Sequence, residues 1–413
     1  MSFFKISLLA TLCLPLFIQY RLAATGVSPV STPLPALPAF PTAEIRNITG
    51  QLEIVGEGEL VGPESLVSAS GFMFVALGDG RIARLSHAKG QQQEAQWTFL
   101  VRTGTTDGAK CGFSPSDESQ TESQCGRPLG LKVVKRSTVD PSSESKEDVL
   151  LVADAYKGLL MITGIYGDAP EIVTLATRAK TDAPNYQLRL LNALVQAPDG
   201  SIYMTETTQT FERRRIFFAA FDGRSNGRLL RYSKHDATVS VVADNLYMPN
   251  GITLSHNGLD LLIVCGVQIK QFSLAKQQFT DFVSVLPGTG DNIDAMNHLP
   301  TQGEQGRKCY WAGLGSKFAQ PFSLLKLASE KPWLKAIVVA VVPYRILVNL
   351  IPKLSALAVY DETGKLIAVY KDDSVVFPWI SEGERFGDYV YLGSWYNPSL
   401  ARFRVAGNGA TTD

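Results

Sequence analysis

Histidine and cysteine are scarce in this chain of 413 residues, which contains four histidines and five cysteines. They form no cluster with the spacing of zinc ligands, so a zinc centre is not expected. The chain also lacks an excess of charge, because 39 lysines and arginines balance 39 aspartates and glutamates. Nucleic-acid-binding domains usually carry a strongly basic patch, so the sequence gives no indication of a nucleic-acid partner.

Long helical periods are also rare, whereas turn residues are common, with 35 glycines and 22 prolines. Segments such as LGDGRIARL, APDGSIYMTE and SHNGLDLLIVC combine a Gly-containing turn with a short apolar strand, a pattern typical of β-hairpins. They recur at intervals of roughly 40 to 60 residues, which is the size of a propeller blade. The sequence therefore predicts an all-β fold, a six-bladed β-propeller over residues 51–405. A pair of β-sandwiches is the alternative.

The N-terminus predicts entry into the secretory pathway. Lys5 precedes an apolar stretch over residues 6–18 that Pro15 interrupts, and small residues follow it. This arrangement is typical of a signal peptide over residues 1–24, cleaved near Ala24. An uncleaved signal-anchor, which would hold the protein on a membrane, is the alternative.

The next segment, residues 25–50, is rich in proline and predicts a linker, and residues 406–413 predict a short tail. Asn47 begins an Asn-Ile-Thr sequence, which is an acceptor for an N-glycan in secreted proteins. We expect the protein in the ER lumen, in a vacuole, at the cell surface or outside the cell.

Four cysteines lie beyond the predicted signal peptide. Cys111 and Cys125 flank a short polar loop, and an oxidising compartment favours a disulfide between them. Cys265 and Cys309 lie in strand-like segments and are predicted to be buried thiols.

The most apolar segment of the mature chain covers residues 331–360. Charged residues such as Lys335 and Arg345 interrupt it, so it does not resemble a membrane-spanning helix. Three interpretations remain open: a lid over the mouth of the propeller channel, an element that contacts a membrane surface, or an insertion that packs on a blade.

The sequence Met-Pro-Asn-Gly around Asn250 is typical of a turn, because Pro fixes φ and Asn and Gly tolerate positive φ. A second interpretation is that this segment directs the Asn250 side-chain oxygen at a ligand. The residues alone leave both interpretations open.

A set of segments in the same order along the chain resembles one family. They include CGRPLGLKV, LLVADAYKGLLMI, LLNALVQAPDGSIYMTE, MPNGITLS, LPGTGDNI and YLGSWYNPSLARF, and the motifs CGRPLG and VADAYKG within them are specific. The chain resembles the strictosidine synthase-like proteins, in particular the branch of adipocyte plasma membrane-associated protein and hemomucin. The resemblance implies a six-bladed β-propeller similar to the paraoxonases and other calcium-dependent lactonases. Within VADAYKG, Asp154 is expected to satisfy backbone donors rather than to act in catalysis.

The resemblance also implies one Ca²⁺ ion in the central channel. The positions that match its ligands are Glu64, Asn192, Asn250 and Asp291, and Asn292 would contact the substrate or the metal. Carboxylate and amide oxygens are the ligands that calcium prefers, so the residue types agree with this assignment. The alternative is that these residues only form turns.

The chain departs from the paraoxonase pattern at three positions. Ser65 and Ala193 stand where the ligands of a second calcium would be expected, so a second ion is not predicted. Leu129 stands where the catalytic histidine would be expected. Since none of the four histidines falls in a family motif, no general base is assigned.

These features predict a secretory-pathway, metal-dependent hydrolase of esters or lactones that resembles an arylesterase. The runner-up is a carbon–nitrogen lyase of the strictosidine synthase type, which would condense an amine with an aldehyde through the candidate acid Glu382. A non-catalytic binding protein of the cell surface is the third interpretation.

Overall fold

The computed structural model describes residues 3–33, 35, 44–86, 96–105, 111–113, 121–181, 186–296, 308–317 and 324–405. Its six sheets each contain four or more strands and form the blades of a β-propeller. The predicted all-β propeller is therefore confirmed, and the pair of sandwiches is excluded.

Two short strands precede the first blade and join the last two blades. They are β1 (Glu44–Asn47) and β2 (Glu53–Val55). Blade 1 then contains β3 (Leu66–Ala69), β4 (Phe72–Ala76), β5 (Arg81–Ser86) and β6 (Gln96–Arg102). Blade 2 contains β7 (Pro128–Lys135), β8 (Asp148–Asp154), β9 (Gly158–Thr163) and β10 (Glu171–Ala176).

Blade 3 has two additional short strands, β11 (Arg178–Lys180) and β12 (Tyr186–Gln187). Its main strands are β13 (Leu191–Gln196), β14 (Ile202–Glu206), β15 (Gly227–Ser233) and β16 (Thr238–Leu246). Blade 4 contains β17 (Pro249–Leu254), β18 (Asp260–Cys265), β19 (Gln268–Ser273) and β20 (Gln278–Val283).

Blade 5 contains β21 (Gly290–Met296), β22 (Cys309–Ser316), β23 (Lys353–Asp361) and β24 (Leu366–Lys371), with β1 parallel to β24. Blade 6 contains β25 (Gly383–Phe386), β26 (Tyr389–Leu392) and β27 (Leu400–Arg404). The N-terminal strand β2 completes blade 6 by pairing antiparallel with β27, where Ile54 lies opposite Ala401. The two ends of the propeller therefore share a blade, which closes the ring.

The apolar core lies between neighbouring blades. Along β8, Leu150 and Val152 pack towards blade 1, whereas Leu151 and Ala153 pack towards blade 3. Because both faces of this sheet are covered, the strand needs a continuous apolar run rather than an alternating one. The sequence DVLLVAD meets that requirement.

Helices in the described ranges lie outside the blades. They are α1 (Phe3–Thr25), α2 (Thr121–Cys125), α3 (Ile216–Asp222), α4 (Leu324–Ser329), α5 (Pro332–Val341) and α6 (Tyr344–Leu350). Helices α3, α5 and α6 share one hydrophobic cluster. Among the helices in the described ranges, none combines the length and the hydropathy required to cross a bilayer.

The segment that follows α1 packs on this helical layer. The backbone N–H of Ser28 donates to Asp222 Oδ1 at 2.6 Å, and Lys335 Nζ donates to the carbonyl of Val30 at 2.8 Å. Val27 is buried in the same cluster as α5 and α6. Cleavage near Ala24 would therefore leave these contacts intact.

The predicted disulfide is confirmed: Cys111 and Cys125 are bonded, with their Cα atoms 5.7 Å apart. Cys265 and Cys309 are both buried, as predicted. The sulfur of Cys125 lies at the end of α2, directly before the segment that carries Arg127. The bond thus ties the segment that leads into β7 to Cys111.

We expect Cys111→Ser to lower the free energy of unfolding by about 3 kcal/mol, because the bond closes a loop of about 15 residues in the unfolded chain. Chemical denaturation of oxidised wild type and variant measures the difference. Dithiothreitol should bring the wild type to the stability of the variant and should leave the variant unchanged. Equal stability of the two oxidised proteins would contradict the prediction.

Candidate functional site

Four polar residues from four blades meet at one cavity in the propeller channel. Glu64 directly precedes β3, Asn192 lies in β13, Asn250 in β17 and Asp291 in β21, and all four line a cavity of about 150 Å³. The exposed fractions of Glu64, Asn192 and Asp291 are between 4% and 6%. The structure thus brings together the four residues that were predicted to hold a metal, although metal binding itself stays a prediction.

The innermost strands of three blades are irregular at these residues. The pairing register shifts between Leu191 and Leu194 in β13, between Pro249 and Ile252 in β17, and between Gly290 and Ile293 in β21. Such bulges change the direction of side chains and are frequent beside functional sites. Asn250 therefore lies in a bulged strand, and the interpretation of this segment as a simple turn is wrong.

Arg127 forms a buried ion pair with Glu64. Its Nη2 donates to Glu64 Oε2 at 3.0 Å, and the guanidinium is fully buried. Burial raises the pKa of Glu64, whereas the charges of Arg127 and Arg213 lower it. Burial and the nearby Arg213 lower the pKa of Arg127. The pair therefore compensates two charges that would be costly to bury separately.

The side chain of Asp154 holds the backbone of Arg127 in place. Its N–H donates to Asp154 Oδ2 at 2.9 Å, and Asp154 Oδ1 accepts from the N–H groups of Tyr156 and Lys157. Asp154 thus satisfies backbone donors, the structural role that the sequence predicted for it.

Asn250 and Asp291 form the second polar contact of the cavity. The Nδ2 of Asn250 donates to Asp291 Oδ1 at 2.7 Å. Burial raises the pKa of Asp291 well above its usual value, and the nearby Glu64 carboxylate adds to the increase. A cation bound between the carboxyl groups of Asp291 and Glu64 would stabilise both carboxylates and so lower the pKa of Asp291.

The donor set is suited to a hard cation. The Oδ1 atoms of Asn192 and Asn250 are buried and have no hydrogen-bond partner. Buried polar atoms are usually paired, so these two oxygens are available to coordinate a ligand. Among the described residues, no group of three or more His, Cys, Asp or Glu side chains could hold a metal ion. A metal here would therefore depend on the two amide oxygens together with the two carboxylates, a combination that suits calcium.

The walls of the cavity are apolar and aromatic. The ring centroids of Trp379 and Trp395 are 5.1 Å apart, and those of Phe217 and Trp395 are 5.8 Å apart. Leu129, at the position where a paraoxonase histidine was expected, also lines the cavity. A cavity of this volume accommodates a group the size of benzene.

Arg213 contributes a cation to the cavity wall, and the sequence reasoning missed it. It is buried, and its Nε lies 3.0 Å from Glu122 Oε1. It stands in a run of three arginines, a local pattern that does not indicate a buried residue. Arg127, by contrast, lies within the recognised segment CGRPLGLKV.

A second, smaller cavity of about 20 Å³ lies beside the first in the channel. It is lined by the residues that directly follow three of the site residues, Ser65, Ala193 and Asn292, and by Lys132, Asp294 and Glu382 among others. Both polar side-chain atoms of Asn292 are buried without a partner. Asn292 and Glu382, the predicted catalytic residues, are thus brought together with each other rather than with the four candidate ligands.

Glu382 is a buried acid in this second cavity. Its Oε2 accepts from the backbone N–H of Leu66 at 2.8 Å. Burial raises the pKa of Glu382 well above its usual value, and the neighbouring Asp294 adds to the effect. Lys132 supplies a cation beside these acids, since its Nζ lies 3.6 Å from Asp294 Oδ1.

Comparison with family models gives two matches. The strictosidine synthase model matches residues 192–276, and the model for the N-terminal part of strictosidine synthase-like proteins matches residues 50–85. The first match includes the segments that carry Asn192 and Asn250, and the second includes Glu64. The resemblance found in the sequence is confirmed.

Two curated relatives extend over most of the chain. Adipocyte plasma membrane-associated protein of Gallus gallus is 29% identical over 409 residues, which cover 97% of this chain and 89% of the relative. Protein STRICTOSIDINE SYNTHASE-LIKE 2 of Arabidopsis thaliana is 29% identical over 371 residues, which cover 84% of this chain and 87% of the relative.

Solved structures share the fold at low identity. A provisionally assigned gluconolactonase matches with a TM-score of 0.50 and 13% identity, over 91% of this chain and 97% of that protein. The calcium-binding protein regucalcin of Agrobacterium tumefaciens matches with a TM-score of 0.50 and 12% identity, over 88% of this chain and 96% of that protein. These matches describe the propeller alone.

Proposed function

We propose that this chain, a β-propeller similar to the strictosidine synthase-like proteins, is a metal-dependent hydrolase of esters or lactones. One observation carries the proposal: four buried oxygen donors, two of them unpaired amide oxygens, line an apolar cavity large enough for an aromatic or acyl group. The lactonase-like propellers among the solved structures support lactones as the first substrates to test.

Glu64, Asn192, Asn250 and Asp291 would hold one calcium ion. When bound, calcium would polarise the substrate carbonyl and stabilise the negative charge that develops on its oxygen. Arg127 holds the Glu64 carboxylate in place.

Two further features of the cavity suit an ester or lactone. Trp379, Trp395 and Phe217 provide an aromatic surface for the acyl or aryl group. Arg213 places positive charge at the wall of the cavity, where the carboxylate product would form. This arrangement favours a small substrate with an apolar part and a carbonyl group that reaches the polar residues.

The structure favours hydrolysis over the carbon–nitrogen lyase. Glu382, the acid that the lyase would use, faces a cavity of about 20 Å³, which holds little more than one water molecule. An aryl-ethylamine and an aldehyde would need the larger cavity, which Glu382 does not line.

The test begins with the calcium content of the purified protein and continues with a panel of aryl esters and lactones. We expect about one calcium per chain and turnover that chelator abolishes and added calcium restores. Asn192→Leu should lose both properties, since it removes one of the unpaired oxygens. Chelator-insensitive condensation of an aryl-ethylamine with an aldehyde would support the lyase instead. Absence of any turnover would support a binding protein.

We also propose that the protein acts in the secretory pathway. The Cys111–Cys125 disulfide agrees with an oxidising compartment. Asn47, the predicted glycan acceptor, ends the edge strand β1 and is exposed. The curated relatives named as plasma membrane-associated are consistent with this location.

A further inference from the structure

Helices α5 and α6 expose apolar side chains on the face that points away from the propeller. In α5, Val338 and Val339 are buried against the helical layer, whereas Trp333 and Val341 are 62% and 52% exposed. These two lie two turns apart, on the same side of the helix. The outward side of a surface helix is normally polar, so this side of α5 requires an explanation.

Helix α6 repeats the arrangement. Leu347 and Val348 are buried, whereas Ile346 and Leu350 are 49% and 51% exposed at positions one turn apart. Leu327 in α4 is also exposed. We call this surface the apolar helical face, formed by Leu327, Trp333, Val341, Ile346 and Leu350. Grouped apolar surfaces of this kind on a soluble protein mark sites of interaction.

The charges around the apolar helical face are mainly positive, and the exposed Glu330 directly before the segment is an acidic exception. Residues 331–360 contain no aspartate or glutamate. Three of the basic residues in this segment, Lys331, Arg345 and Lys353, are exposed, and the fourth, Lys335, is buried. Exposed apolar side chains with a mainly basic border complement an anionic lipid surface, which offers an apolar interior and negative headgroups.

Helix α1 packs beside this surface, and both its retention and its removal increase the exposed apolar area. It packs beside α5, where Arg21 Nε donates to the carbonyl of Ala340 at 3.2 Å. Its outer side exposes Leu16, Phe17 and Tyr20. A retained α1 extends the apolar surface, and a removed α1 uncovers the side of α5 that it now contacts.

We propose that the apolar helical face docks the protein on a bilayer that contains anionic phospholipid. The face covers one end of the propeller channel: Ile351 follows α6 and lines the larger cavity, as do Ile216 and Phe217 of α3, which pack with α6. Docking would therefore place the entrance of that cavity at the membrane. On the premise of the proposed function, which this consequence requires, the preferred esters or lactones are lipophilic and enter from the bilayer.

Vesicle sedimentation tests the docking. The full purified chain, with its N-terminus identified by mass spectrometry, is mixed with vesicles of phosphatidylcholine alone or with added phosphatidylserine. The measurement is made in chelator and without substrate. A negative result therefore rejects docking and does not depend on whether the protein is a hydrolase. We expect binding to the vesicles with phosphatidylserine and weak binding to phosphatidylcholine alone.

Variants locate the surface. Trp333→Glu combined with Ile346→Glu should weaken binding by about tenfold or more, because each change replaces an apolar side chain of the face with a negatively charged one. Lys331→Ser and Arg345→Ser should each weaken binding to the anionic vesicles by about fivefold. Leu259→Glu is the matched control, since Leu259 is 62% exposed, like Trp333, but lies beyond β17 in blade 4. This control should bind as the wild type does.

Several results would overturn the proposal. Equal binding to neutral and anionic vesicles would reject the role of the basic border, and undiminished binding of the Trp333→Glu, Ile346→Glu variant would place membrane contact outside the apolar helical face. Absence of vesicle binding would reject the lipid partner. A wild type that dimerises without lipid, and that becomes monomeric in the double variant, would show that the apolar helical face contacts a second copy of the chain.

Discussion

Arg127→Met is expected to lower the free energy of unfolding by about 3–5 kcal/mol, the cost of removing one partner from a buried ion pair. The change leaves the Glu64 carboxylate, which is 4% exposed, without its ion-pair partner. The site is also shaped around the arginine. A Cβ atom at Gly78 would lie 2.1 Å from Arg127 Nη1, so the chain keeps a glycine where the guanidinium needs space.

Chemical denaturation of wild type, Arg127→Met, Glu64→Gln and the double variant measures this effect. Because Glu64→Gln removes the uncompensated charge, the double variant should lose clearly less stability than the sum of the two single losses. Arg231→Met is the control, since Arg231 pairs with Asp199 at 3.4 Å and both side chains are over 40% exposed. Its loss should stay below about 1 kcal/mol. Additive losses at Arg127 and Glu64 would contradict the pairing.

The propeller was predictable because its signal is local and repeated. A hairpin such as that of β4 and β5 requires only a Gly-containing turn between two apolar strands, and LGDGRIARL shows both features. Once six such units close a ring, the first strands of the blades must surround one channel. The meeting of Glu64, Asn192, Asn250 and Asp291 follows from that closure, although they are far apart in the sequence.

The arrangement of side chains inside the channel was harder to predict from the sequence. Asp291 and Asn292 are adjacent in the sequence but line different cavities, because neighbouring residues of a strand point to different sides. The bulges in β13, β17 and β21 set which side each residue faces, and no residue type in the sequence indicates a bulge. The pairing of Arg127 with Glu64 joins residues 63 positions apart and depends on how blades 1 and 2 pack.

The apolar segment over residues 331–360 shows a similar limit. Its composition allowed a lid, a membrane element or a blade insertion. The structure divides it into α5, α6 and β23, a middle strand of blade 5 that is buried from Leu354 to Tyr360. One stretch of apolar sequence therefore supplies both core and exposed surface, and only tertiary packing separates the two.

Asn250→Leu is expected to remove the dependence of stability on calcium. If the four oxygen donors hold calcium only in the folded state, the wild type gains RT ln(1 + [Ca²⁺]/Kd), about 4.1 kcal/mol at a thousandfold excess over Kd. Leucine has no oxygen donor and also removes the hydrogen bond to Asp291. The variant should melt at the same temperature in calcium and in chelator, and ester or lactone turnover should fall with the metal.

Asn250→Asp separates the metal from the hydrogen bond. In chelator, a second carboxylate would face Asp291 where Asn250 Nδ2 now donates at 2.7 Å, so repulsion should make this variant less stable than the wild type. Calcium offsets that repulsion, so the increase in melting temperature on adding calcium should be larger than in the wild type. Asn292→Leu is the control, because Asn292 lines the second cavity and should leave the calcium dependence unchanged. A wild type whose melting temperature responds to neither chelator nor calcium would reject the metal site, and the two unpaired amide oxygens would then face the substrate directly.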